Sequence, residues 1–83
     1  MTRTVVWQHH AMTEFRRLRA IDPVGAKATA AAVRALADEP RPEAARSLGT
    51  SGYFRLHVGD WRVLYRSDDG AVTVFVLKVG RRS

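Results

Sequence analysis

The chain opens on a short apolar run, Val5, Val6 and Trp7, which no breaker interrupts and which predicts a first strand from Thr4 to His9. At Ala11 the period changes. Ala11, Met12, Phe15 and Leu18 recur at helical spacing while Glu14, Arg16, Arg17 and Arg19 fill the other side, predicting a short amphipathic helix over 11–19. Asp22-Pro23 is a helix-start signal, because an Asp side chain can accept a backbone N–H and Pro at the first helical position sacrifices no bond. A second helix is therefore expected from Pro23 or Val24 to about Ala37, with Pro40 ending it. Its alanines allow close approach to the first helix, as in a helical hairpin, and Gly25 is expected to weaken it slightly. Residues 41–52 contain Pro42, Gly49, Thr50, Ser51 and Gly52 with Leu48 the single large apolar side chain, and read as a connecting loop.

The remainder reads as strand: Tyr53 to Val58, Trp61 to Arg66, and Ala71 to Val79, with turns at Gly59-Asp60 and Ser67 to Gly70. A Gly at the first central position favours a two-residue type II′ turn, which sets the register of the first two. Val58 then lies opposite Trp61, His57 opposite Arg62, Leu56 opposite Val63, Arg55 opposite Leu64, Phe54 opposite Tyr65 and Tyr53 opposite Arg66. One face of the hairpin is wholly apolar: Phe54, Leu56, Val58, Trp61, Val63 and Tyr65. It requires cover, and the two helices are the segments able to supply it. The other face carries Tyr53, Arg55, His57, Arg62 and Arg66, with Leu64 its one apolar member. The last strand, alternating Val72, Val74, Val76 with Phe75, Leu77, Val79, is apolar on both faces and is expected in the middle of the sheet.

Charge sharpens this picture. The 83 residues carry 14 Lys and Arg against 8 Asp and Glu, a formal charge of +6, and a pI near 11.1. An imbalance of that size draws polyanions, so nucleic acid, an acidic protein, or both are the natural partners. Lys27 and Lys78 are the lysines, leaving twelve guanidiniums, which suit bidentate phosphate contacts. Asp60, Asp68 and Asp69 all fall in turns, where they cannot easily neutralise the cationic face. Without cysteine there is neither disulfide nor thiolate chemistry, and no apolar run approaches a membrane span. His9 and His10, as neighbours in a strand, would point to opposite faces and could not hold one metal. The length suits one domain, residues 1–83, and with no signal-peptide pattern at the N-terminus a cytoplasmic location is expected.

The initial strand, the helical hairpin ending near a Pro, and the Leu-Gly before a strand are followed by two more specific runs. These are Arg-x-x-x-Gly-Asp-aromatic-Arg-x-x-Tyr from Arg55 to Tyr65, and the terminal Val-Gly-Arg-Arg. Together they resemble the RelE/ParE toxin superfamily over essentially the whole chain. The resemblance implies an α+β fold of β-α-α-β-β-β order: an N-terminal strand, an α-helical hairpin and a three-stranded antiparallel meander, with the helices on one face of a four-stranded sheet. It also implies a type II toxin with RelE-like activity, namely ribosome-dependent cleavage of mRNA by attack of the ribose 2′-hydroxyl on the adjacent phosphate. By position the family's basic site residues map to Arg55, His57, Arg62 and Arg81 or Arg82; of the chain's cations and imidazoles, Arg62, His57 and Arg82 are expected to be catalytic and Arg55, Arg66, Arg81 and Lys78 to bind RNA, with no metal or cofactor. Arg62 and Arg82 would hold the scissile phosphate, and His57 would take the 2′-hydroxyl proton.

Where the family pattern continues past Gly-x-Arg to a Tyr, this chain stops at Ser83. The implied partners are a cognate acidic antitoxin, mRNA and the ribosome with its 16S rRNA, and operator DNA only through the antitoxin, with no membrane. Two other readings stay open: a ParE-like inhibitor of DNA gyrase, and a catalytically degenerate member that retains antitoxin binding.

Overall fold

A computed structural model describes residues 3–68 and 70–79, with 74–79 as backbone. The elements are β1 (Thr4–Trp7), α1 (His9–Ile21), α2 (Pro23–Ala35), β2 (Ala45–Ser47), β3 (Tyr53–Val58), β4 (Trp61–Ser67) and β5 (Ala71–Val79). They form one sheet of order β1-β5-β4-β3-β2, with β1 parallel to β5 and the other pairs antiparallel. The expected central position of the last strand is met, because β5 lies between β1 and β4.

Two expectations are corrected. The sheet has five strands rather than four: β2, within the segment read as loop, pairs with β3 through Ala45, Arg46 and Ser47. Leu48 N–H donates to the Tyr53 carbonyl at 2.9 Å, and Gly49 and Gly52 take φ of 62° and 85°, so the glycines that read as loop close a strand pair. The first strand ends at Trp7, and His9 and His10 begin α1 instead of alternating along a strand. Successive helical residues also diverge, so these imidazoles still do not face one another.

The two helices pack against each other, α1 on β5 and α2 on β3, covering one face of the sheet. Ala11, Leu18, Ala26, Val33 and Leu36 meet Leu56, Trp61, Val63, Tyr65 and Val72 in the core, with Phe54 and Val58 packed at its margin. All six apolar hairpin positions therefore sit on the covered side. Trp7 packs its ring against Phe15, 5.2 Å between centroids. Asp22 caps α2 as expected, accepting from Gly25 N–H at 3.0 Å.

Along β5 the strict alternation is broken. Tyr65 pairs with Val74 and Leu64 with Val76, so Phe75 has no partner in β4 and the ladder steps by one residue. Among the described residues no helix is long and apolar enough to cross a membrane.

Candidate nucleic-acid interface

The site rests on the β3–β4 hairpin. Gly59 takes φ of 58° while, among the described residues, no non-glycine residue has a positive φ, as a type II′ turn requires of Asp60. The pairs that follow are those the turn predicts: Val58 with Trp61, His57 with Arg62, Leu56 with Val63, Arg55 with Leu64, Phe54 with Tyr65 and Tyr53 with Arg66. Trp61, Val63 and Tyr65 are buried while Arg62 and Arg66 are exposed, so the alternation sorts β4 cleanly into a core side and an open side. His57 is also exposed, and Arg55 is half-buried.

Two neighbouring strands widen this open face into rungs. Arg46 of β2 is the partner of Arg55. Lys78 of β5 is the Cα partner of Arg62, and Thr73 is that of Arg66. His57, Arg62 and Lys78 thus occupy one rung across three strands, and Arg46, Arg55 and Leu64 occupy the next. Arg46 was missed in the sequence because a three-residue strand carries no legible period-2 pattern. The remaining candidates, Arg81 and Arg82, lie outside the described residues.

Among the described residues no ion pair neutralises the cations of this face. Among the described residues the ion pair present joins Arg17 and Glu14 on α1 at 3.8 Å, and Arg46, Arg55 and Arg62 take part in none. Asp68 serves the β4–β5 connection instead. Its carboxylate accepts from Gly70 and Ala71 N–H at 3.0 and 2.9 Å, and those bonds, with smaller help from Arg66 and Arg3, hold it below the ordinary carboxylate range. The Arg66 guanidinium stands 6.0 Å from the centre of the Tyr53 ring. Arg55 Nε is buried and has no hydrogen-bond partner.

Behind the face, Trp61 anchors the residue that precedes Arg62. Its indole N–H donates to Asp22 at 3.0 Å, joining the start of β4 to the start of α2. Trp61 and Tyr65 are therefore core residues, 2% and 0% exposed, and cannot stack on bases. Lys27, Arg16, Arg17 and Arg19 are exposed on the helices, as a solvated basic surface. Among the described residues no group of three or more His, Asp or Glu side chains is placed to hold a metal ion.

The chain is a toxin of the RelE/ParE superfamily of type II toxin–antitoxin systems, as its match to a family model shows. The family model described as ParE toxin of type II toxin–antitoxin system, parDE, matches residues 5–83, and the chain belongs to that family. No curated protein matches it by sequence. Solved structures share the fold. The archaeal RelE–RelB complex from Pyrococcus horikoshii superposes with a TM-score of 0.81 at 23% identity, covering 100% of both chains. The YoeB dimer from Staphylococcus aureus gives 0.79 at 14% identity over 98% of this chain and 100% of that one. The chromosomal ParDE system from P. aeruginosa gives 0.78 at 11% identity over 96% and 98%.

Proposed function

We propose that this toxin is a ribosome-dependent mRNA endoribonuclease. The observation that carries the reading is the exposed His57–Arg62 rung, an imidazole and a guanidinium in direct cross-strand register that enter no ion pair among the described residues. In the proposed reaction His57 accepts the proton of a ribose 2′-hydroxyl as its oxygen attacks the adjacent phosphorus. Arg62 donates to the non-bridging oxygens as their charge rises, a preorganised cation doing what water would do at greater cost. The bond to the 5′ oxygen breaks and that oxygen takes up a proton, leaving a 2′,3′-cyclic phosphate and a 5′-hydroxyl end. Arg82 shares the phosphate with Arg62 in this proposal, and Arg55, Arg66, Arg81 and Lys78 hold neighbouring backbone phosphates.

The partner proposed for the resting toxin is a short acidic antitoxin. The charge of +6 favours such a partner, and the Pyrococcus horikoshii structure is itself a RelE–RelB complex. The toxin reaches operator DNA only through that antitoxin, and it works on the ribosome in the cytoplasm. A second reading, inhibition of DNA gyrase, is favoured by the family description, which names ParE.

One experiment separates them. Wild type, Arg62→Ala and His57→Ala are induced in cells, 5′ ends of translating messages are mapped, and purified protein is added to a gyrase supercoiling reaction. New in-frame 5′ ends with wild type, falling by about 10²-fold or more in Arg62→Ala, are expected, with supercoiling unaffected. Intact messages together with blocked supercoiling would overturn the ribonuclease reading in favour of the second.

A further inference from the structure

A cavity of about 260 Å³ lies between α2 and β3, lined by Ala32, Ala35 and Leu36 on one side and Leu56 and Val58 on the other. The small side chains of Ala32 and Ala35 are what leave this space open. Its lining also includes His57 and Glu39. His57 thus belongs both to the rung it shares with Arg62 and to the wall of this cavity.

Glu39 is an acid in a basic neighbourhood. It is exposed and enters no ion pair among the described residues. Its neighbour Arg41 does not neutralise it, because that guanidinium stands over the Phe54 ring, 5.2 Å from the centroid. Two bonds hold Glu39 in place: its N–H donates to the Ala35 carbonyl at 3.0 Å, and its Oε1 accepts from Arg41 N–H at 3.2 Å. An ionised carboxylate offers about four lone-pair sites, so acceptor capacity remains. Such a group repels phosphate and suits a ligand that has N–H donors on one edge and apolar faces.

A nucleobase has that chemistry. Pockets that read an extruded base combine apolar contact on its faces with hydrogen bonds to its Watson–Crick edge. The volume is below the range of about 300–1,000 Å³ typical of drug-sized ligands, in keeping with a single base. Guanine matches a carboxylate best, because its N1–H and exocyclic N2–H donors lie side by side on that edge. Adenine and cytosine present one amino group beside an acceptor nitrogen, which a carboxylate repels. We infer that this cavity takes a guanine of the RNA strand, from a nucleotide flanking the bond at His57, with Glu39 accepting from N1–H and N2–H. The inference rests on the proposed role of His57 and adds to it a base-reading site away from the cationic face.

The test reads binding, not cleavage. Short 2′-O-methyl RNAs, which cannot be cut, carry guanine, hypoxanthine or uracil at each position in turn and are titrated against the full chain. Hypoxanthine keeps N1–H and lacks the amino group. Wild type is expected to favour guanine over both other bases by about tenfold at one position. Glu39→Ala is expected to bring the three within about twofold of one another. Ala35→Leu, which fills the cavity from an exposed helix position and leaves Glu39 in place, is expected to do the same.

Equal affinities at every position in wild type would overturn the inference. So would a rise by one common factor for all three RNAs in Glu39→Ala, the mark of general charge repulsion, or a guanine preference that survives in Ala35→Leu. Messages cut in cells by a toxin that shows no base preference in this titration would sink the inference and leave the ribonuclease reading standing.

Discussion

Trp61 and Asp22 are 39 residues apart in the chain and share a hydrogen bond of 3.0 Å that ties the base of the cationic hairpin to the cap of the second helix. The same carboxylate accepts from Gly25 N–H, so one side chain terminates a helix and anchors a strand. The Trp61 bond first, and the Gly25 bond second, hold the Asp22 carboxyl below its ordinary value of 3.8. The core face and the open face of the hairpin are thus linked through adjacent residues, Trp61 inward and Arg62 outward.

That bond gives stability a defined acid dependence. A carboxylate with a depressed folded-state pKa contributes fully above its unfolded value and loses the contribution as pH falls through the folded one. Asp22 and Asp68 are both depressed, so stability is expected to decline as pH drops below 3.8. Urea denaturation at a series of pH values would show it. In Trp61→Phe, which removes the largest cause at Asp22, the acid dependence is expected to be shallower. An unaltered profile in that variant would count against the bond.

Gly25→Ala is expected to destabilise the protein, although glycine-to-alanine in a helix normally stabilises by about 0.5–1 kcal/mol. A Cβ at residue 25 would overlap the Asp22 carboxylate and approach Trp61 Nε1, so the space is already taken. Overpacking of this kind costs about 1–3 kcal/mol. A thermal melt that is unchanged or raised in Gly25→Ala would refute the crowding argument.

Tyr65 sets the alkaline limit. Its hydroxyl donates to the Pro40 carbonyl at 2.6 Å, and burial pushes its pKa up to about 12 from 10.0. A phenol that ionises more readily in the unfolded chain stabilises the fold below pH 10 and ceases to do so as pH rises from 10 towards 12. Tyr65→Phe is expected to lose about 1 kcal/mol at neutral pH and much of the decline above pH 10. Denaturation curves at pH 8 to 11.5 measure both effects.

The exposed rung is expected to be separable from stability. Arg62 is exposed and enters no ion pair among the described residues, so Arg62→Ala is expected to shift unfolding by no more than about 0.5 kcal/mol while removing most message cleavage. Circular dichroism melts beside the cleavage assay decide it. A large loss of stability would mean that the residue serves the fold instead.

Much of the hairpin and of its chemistry was legible from residues 53–66. Register, faces and the placing of Arg55, His57, Arg62 and Arg66 together all follow from a local turn and a period-2 pattern within one contiguous stretch. Arg46 was not legible, because Ala45–Ser47 becomes a strand through pairing with β3 rather than through a pattern of its own. The crowding at Gly25 was not legible, since the Trp61 indole that bonds the Asp22 carboxylate beside it arrives from another element.

The sequence by itself determined which side chains face the helices and which face solvent, because side-chain alternation and helical period are properties of the chain's local geometry. Only the tertiary structure decided the fifth strand, the Asp22–Trp61 and Tyr65–Pro40 bonds, and the opposition of Arg46 to Arg55. Those depend on where distant segments come to rest against each other, and no local preference encodes that position.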